Sequence, residues 1–413
     1  MTTSIANPPQ ALLTATETQR LAWLALTLTP GLGPTRIFRA VERLGSAEAA
    51  VVAPLTVLEG TGMPAASAQF IFSGKARAAA EDEWKRVQQV GATIITPDDA
   101  AYPERLREIY DPPTALWLRG NVALLTRPGI AVVGTRHPST YGSQMAESLS
   151  RDLAARRLVI ISGMARGVDT HAHTGAMHTP NGRTVAVWGT GIDVIYPKEN
   201  KKLAENIVAN GGTILSEYPL GTFPAPQNFP IRNRILSGMS VGVLVIEAGE
   251  HSGTRITARM ALEQNRDVYA VPGNVTNKNA WGPNMLIRQG ARLTATWEDV
   301  WEDLPTQVRT QLEDELAEMA DSKSVAAGSE SSGANGASDS QLTLEAGGGI
   351  TDLQRIVLAE LKVDEATQMD ELISNLEERD PPMSSTEIFA ALLELELSGL
   401  VKSLPGKNYV RAM

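Results

Sequence analysis

Six short apolar runs constrain this chain more than anything else in it: GIAVVG (129–134), LVIISG (158–163), TVAVWG (184–189), GTILSE (212–217), VGVLVIEA (241–248) and DVYAVPG (267–273). Each is nearly continuous and rich in β-branched residues. That is the pattern of parallel strands buried on both faces. The stretches between the runs suit crossover helices, which predicts a doubly wound α/β domain with a mostly parallel sheet. Several runs also end at glycine, in VVGTR, IISGMARG and AVWGTG, and VIEAGEHSGT follows the fifth. Ligands of open α/β sheets bind just outside the carboxyl ends of the strands. Glycine there lets the backbone approach a phosphate, and the next helix offers free N–H groups. One such glycine is weak, because turns need glycine anyway. Four in one domain predict an anion-binding rim.

The flanks read differently. Residues 1–95 are expected to form a helical module. RLAWLALTLTPGLGPTRIFRAVERLGSAEAAVVA has apolar residues at helical spacing on both sides of a Pro-Gly-x-Gly turn. Helix, glycine turn, helix resembles hairpins that present amides to DNA phosphates, but a packing module of the sterile-alpha-motif type is favoured. Residues 96–305 form the sheet domain, and residues 306–350 an acidic, then Gly/Ser-rich, flexible linker. Residues 351–413 regain pattern as three helices and a β-wing with Gly406 at its turn, a winged-helix shape. Its third helix carries Glu387, Glu394 and Glu396 where a DNA reader needs cations. Protein contact or plain structural use is favoured there.

The chain has a net charge of −10 and no cysteine. Disulfides, cysteine-ligated zinc, iron–sulfur clusters and thiol catalysis are excluded. The lack of cysteine fits a cytoplasmic protein. No basic start precedes a long apolar core at the N-terminus, and no apolar run reaches the ~20 residues of a membrane span. Charge is segregated. Residues 130–300 hold 17 Lys/Arg against 13 Asp/Glu, whereas residues 301–413 hold 8 against 22. Binding a polyanion depends on the local field rather than on the whole-chain sum.

Basic residues that could occupy the rim are Arg136, directly after Gly134 and Thr135, and Lys198, Lys201 and Lys202 after GIDVIYP. NFPIRNRILSGMS (228–240) sets Phe229, Arg232, Asn233 and Arg234 just before the fifth run. An aromatic beside two arginines suits single-stranded nucleic acid: the ring stacks on a base at ~1–3 kcal/mol and the guanidinium groups take phosphates. Alone, the motif would read as a core phenylalanine beside solvated arginines. With a glycine rim it points to function.

SGMARGVDTHAH (162–173) invites a catalytic or metal reading. On a helix Asp169 and His173 share a face, while His171 points almost opposite. The histidine pair therefore cannot chelate one ion, and Asp169 with His173 is expected to brace the helix start against the rim. His137, His178 and His251 have no ligand partners at motif spacing. No HExxH, GxSxG, GxGxxG or GxxxxGK[ST] occurs. No metal, dinucleotide or other cofactor is expected.

Together these stretches resemble the DprA/Smf family, the DNA-processing protein A of bacterial natural transformation. The likeness runs from YPERLREIYDPPTALWLRGN (102–121) through AVVGTRHPSTYG, SGMARGVDTHAH, WGTGIDVIYPKEN, ILSEYPLGTFP, NFPIRNRILSGMS and VIEAGEHSGTRITARMALEQNRDVYAVPGN to GPNMLIRQGARL (282–293). Ser162, Gly163, Ala165, Gly167, Val168, Asp169, Ala172 and His173 match the family's Ser-Gly-x-Ala-x-Gly-[IV]-Asp-x-x-Ala-His run, with His171 at a free position. The resemblance implies an extended Rossmann-type domain without a bound dinucleotide and without known catalysis. It implies binding and protection of single-stranded DNA, loading of the RecA recombinase, and homodimers joined through that domain. Carried over by motif, the DNA contacts would be Arg136, Phe229, Arg232 and Arg234, with Lys198 and Lys201 beside them and Gly163 and Gly167 lining the pocket.

Two rivals follow from other features. Lysine-decarboxylase-like phosphoribohydrolases share a glycine rim but carry PGGxGTxxE. The nearest stretch here, EAGEHSGTRITARMALE, lacks Pro-Gly-Gly and has Thr257 where the glutamate would stand. A winged-helix transcriptional regulator is opposed by the acidic third helix.

Overall fold

All six apolar runs are strands. In the computed structural model, which describes residues 12–250, 252–329, 351–362, 366–377, 379, 383–404 and 407–411, they form β3 (Gly129–Val133), β4 (Val159–Ser162), β5 (Thr184–Trp188), β6 (Thr213–Ser216), β7 (Gly242–Val245) and β8 (Asp267–Ala270). Three further strands complete a nine-stranded sheet: β1 (Thr93–Ile95), β2 (Leu116–Gly120) and β9 (Arg292–Leu293). The order is β1-β2-β6-β5-β4-β3-β7-β8-β9. β6 through β9 run parallel, and β2 and β1 add antiparallel at one edge. The added strands are short and follow no burial alternation, so they carry no sequence pattern of their own.

Alternate residues of each strand feed opposite layers. Ala131 and Val133 face the helices Asn228–Met239 and Thr254–Glu263. Ile130 and Val132 face Thr140–Ala155 and Val168–Met177. β3 is the switch point, with β4 on one side and β7 on the other.

Six helices from Glu17 to Gln89 form the N-terminal module. It is not a separate bead: its apolar residues join one core with Trp117, Ala186, Trp188 and Ile214 of the sheet. The buried Glu83 fixes the seam by accepting from Trp117 Nε1 at 3.0 Å and from the Leu220 amide at 2.7 Å. Arg20 and Asp99 close another end with a buried ion pair at 2.6 Å.

The segment read as a linker opens instead as a helix, Thr306–Ser329. Val308 and Leu312 dock into the sheet's helical layer, and Arg309 and Glu313 face each other one turn apart. Burial of one face stabilises a helix where composition alone suggested a flexible chain. The Gly/Ser-rich remainder, 330–350, lies outside the described residues, as do His251 and Gly406.

Three C-terminal helices, Asp352–Glu360, Met369–Glu377 and Ser385–Leu397, pack around Leu372, Ile388 and Leu395. They are joined by the small sheet β10 (Thr367–Gln368), β11 (Val401–Leu404) and β12 (Asn408–Arg411). The acidic residues of the third helix are tied within this unit. Glu387 accepts from the Ser384 amide and hydroxyl, Glu394 from Gln354, and Glu396 from Ser403. No helix among the described residues is long and apolar enough to cross a membrane.

Candidate nucleic-acid interface

An open groove of about 650 Å³ lies at the carboxyl ends of β3 and β7, beside the switch point. One wall is the turn after β3, Gly134 to His137. The other is the start of the Asn228–Met239 helix, with Gly249, Gly253 and Thr257 closing an end.

Helix formation over 228–239 decides what its motif presents. Positions 229, 232, 233 and 236 share one helical face, and all four line the groove. Phe229 is half-buried. Its ring occupies the space left by Gly189, where an added Cβ would lie 3.0 Å from Cδ1. The Tyr196 ring stands beside it, with centroids 5.4 Å apart. The exposed Arg136 guanidinium stands 5.9 Å from the same ring centroid, a cation–π arrangement open to solvent. A flat aromatic surface and a cation without an ion pair among the described residues thus meet at one mouth.

Arg232 differs from its expected role as a phosphate contact. It is 5 % exposed, and its guanidinium donates to the carbonyls of Gly163 (2.7 Å) and Val187 and to Asn233 Oδ1 (3.1 Å). Burial lowers its pKa to about 10, while the nearby Asp169 opposes that fall. Arg232 therefore stays cationic at neutral pH and acts as a strut beneath the groove.

Arg234 does not reach the groove. Two residues along a helix turn the side chain to the other side. There it is buried against Glu217 and lies 3.1 Å from Asp111. Burial pushes the Glu217 carboxyl up, and Arg234 pulls against that shift. The signal missed in the sequence was the i, i+3, i+4 spacing of 229, 232 and 233. Lys198 and Lys201 are exposed next to Tyr196 and Pro197 but do not line the groove, and Lys201 faces Glu205 at 4.0 Å.

Gly134 lines the groove, and all three glycines are also required by close packing. A Cβ on Gly163 would lie 2.6 Å from the Arg232 guanidinium, and one on Gly134 would lie 2.5 Å from Val168. Gly167 has φ +74°, and its Cβ would lie 2.5 Å from Thr135 O and 2.7 Å from the Arg136 backbone. A side chain there would displace the turn that carries Arg136.

Asp169 alone braces the helix start against the rim; His173, expected to share that role, instead ties the helix to Thr184 at the amino end of β5. Asp169 Oδ2 accepts from the amides of Gly163 and Ala165, both at 3.1 Å, closing the loop after β4. Burial raises its carboxyl, and Arg232 opposes the shift. His173 Nδ1 contacts Thr184 Oγ1 at 2.7 Å. That hydroxyl donates to Ile160 O, so Nδ1 carries the proton. His171 points away to Glu147 at 2.8 Å. Among the described residues no group of three His, Asp or Glu could hold a metal.

Sequence reading missed two supports. Glu247, 2 % exposed, accepts from the Ser139 amide (2.8 Å) and hydroxyl (2.6 Å), fixing the cap of the helix behind Arg136. A carboxylate interrupting VLVIEA was the available signal. Asn200 donates to Met164 O at 2.9 Å and holds the opposite loop.

The family model for DNA recombination-mediator protein A matches residues 93–305, and that for the DprA winged helix domain matches residues 343–407. Protein Smf of Synechocystis is 32 % identical over 410 residues, spanning 96 % of this chain and 99 % of that protein. This chain belongs to the DprA/Smf family. Another family member, the DNA processing protein DprA of Streptococcus pneumoniae, is 45 % identical over 202 residues, 49 % of this chain and 71 % of that one. The X-ray structure of DprA from that organism superposes with a TM-score of 0.61 at 34 % identity, covering 70 % of this chain and 99 % of that one. The groove therefore lies within the portion matched by the DprA/Smf family model.

Proposed function

We propose that this DprA/Smf protein binds single-stranded DNA in the groove at the carboxyl ends of β3 and β7. The observation that carries the reading is the exposed Arg136 over the half-buried Phe229. A strand needs a π-face for a base and a cation for the flanking phosphate, and the two stand within one nucleotide's reach. Asn233 offers a polar edge beside them, and Lys198 and Lys201 extend the positive flank. Contacts mainly to phosphate make binding sequence-tolerant and steeply salt-dependent.

In this reading residues 96–305 carry the DNA. Residues 351–413 serve protein contact or plain structural use, because their third helix presents carboxylates, several bonded within the unit, where a DNA reader needs cations. The protein is a scaffold rather than an enzyme, acts in the cytoplasm as a homodimer through the sheet domain, and delivers its strand to RecA. Those finer steps rest on family membership. Gel shifts with single- and double-stranded oligonucleotides, with and without RecA, test them. Preference for the single strand and faster RecA filament formation are expected. Equal affinity for duplex would sink the groove reading, and an unchanged RecA rate would sink the loading step alone.

A further inference from the structure

The opposite pole of the sheet carries a second concentration of positive charge. Arg127, Arg157 and Arg183 stand just before β3, β4 and β5, three adjacent strands. With Asn121 and Asn181 they line a cleft of about 260 Å³. One carboxylate lies against its arginines. Glu315 of the Thr306–Ser329 helix pairs with Arg127 and lies 3.5 Å from Arg157 Nε.

That single charge does not satisfy the cleft. Arg157 Nε is buried and, with Glu315 at ion-pair distance but outside good hydrogen-bond geometry, has no hydrogen-bond partner among the described residues. Arg183 donates to its neighbour's carbonyl, Gly182 O, at 2.8 Å and has no carboxylate partner among the described residues. Arg157 also has φ +72°, in the region where a chain leaving a helix favours glycine. An arginine held at a strained position, aimed into a cleft with two others, is poor packing but a fitting anion cradle. Burial, and after it the Arg157 charge, lower the Arg183 pKa, as expected of a cation held beside another.

We propose that this cleft binds a phosphate group, with Glu315 as the chain's own stand-in for it. A phosphate brings more acceptor oxygens and more charge than one carboxylate, and it suits guanidinium forks. Its arrival displaces Glu315 and loosens the 306–329 helix, which leads toward the winged-helix unit. The phosphate comes either from a nucleic-acid strand passing behind the sheet or from a free phosphate compound.

Calorimetry on the full chain tests this in an Arg136→Ala background, which weakens the groove. The probes are inorganic pyrophosphate and a short oligothymidylate. Glu315→Gln should tighten binding about tenfold and Arg183→Ala should weaken it about tenfold, each equivalent to ~1.4 kcal/mol. Saturation should speed amide exchange in residues 306–319. Binding of pyrophosphate alone assigns a free ligand, and binding of the oligonucleotide alone assigns a strand phosphate. If Arg183→Ala does not fold, Asn181→Asp, which adds a carboxylate at the cleft, should weaken binding instead. No binding of either probe by the Glu315→Gln protein, or binding indifferent to the cleft substitutions, overturns the proposal.

Discussion

Arg136 and Phe229, far apart in sequence, face each other across the groove mouth with the guanidinium 5.9 Å from the ring centroid. The turn after β3 supplies one and the first turn of the 228–239 helix the other. Each presents what its neighbour lacks, an exposed charge and a flat apolar face.

Removing either should therefore show a different signature. Arg136→Ala is expected to lower oligothymidylate affinity and to reduce the salt slope by about one unit. Phe229→Ala is expected to cost ~1–3 kcal/mol with the salt slope unchanged. Fluorescence anisotropy across a salt series separates the two, and matching slopes for both variants would contradict this division of labour.

Gly167→Ala should lower DNA affinity without adding anything to the groove. The new Cβ collides with the backbone of Thr135 and Arg136 and demands a left-handed conformation. With ψ at −127° the backbone lies in a region that residues with a Cβ rarely adopt, and a cost of roughly 1–3 kcal/mol in stability is expected from the backbone alone. A melt and a binding titration on one sample check both effects. Wild-type affinity would show that Arg136 does not depend on this packing.

Arg234→Ala should damage stability and spare binding. It leaves the buried Glu217 without its partner, at a cost of about 3–5 kcal/mol. Urea unfolding should report the loss, while oligonucleotide affinity of the folded fraction stays at wild type. Weaker DNA binding with unchanged stability would return Arg234 to the groove.

Acid should destabilise the fold through His173. Complete burial and the Arg232 charge lower its pKa to about 3. That is below the ~6.5 of the unfolded chain. The stability contributed by the neutral ring is whole above about pH 6.5 and is lost as pH falls toward 3. Across that window this group alone removes about 1.4 kcal/mol per pH unit. His173→Gln should flatten the acid limb of a stability–pH curve. An equally steep limb in the variant would mean that other groups set it.

Much of this was legible because burial on both faces leaves a local trace. The runs at β3 to β8 are apolar throughout, so the sequence alone specified a parallel sheet and, from its terminal glycines, the pole at which the groove opens. Arg136, Phe229 and Asn233 could be singled out from short motifs. Strands β1, β2 and β9 could not, because two to five residues pairing at an edge have no periodicity.

What remained hidden depends on direction and on distant partners. FPIRNR specifies two arginines, but only the helix through them sends Arg232 under the groove and Arg234 to Glu217 on the other side. The glycines of SGMARG looked like openings for a ligand, yet the Arg232 guanidinium and the Arg136 backbone already fill the space beside them. The sequence determined which residue types gather at the strand ends, since strand burial is written locally. The tertiary structure decided which of those cations stay free, because a charge is spent or available only according to what the fold brings within bonding distance.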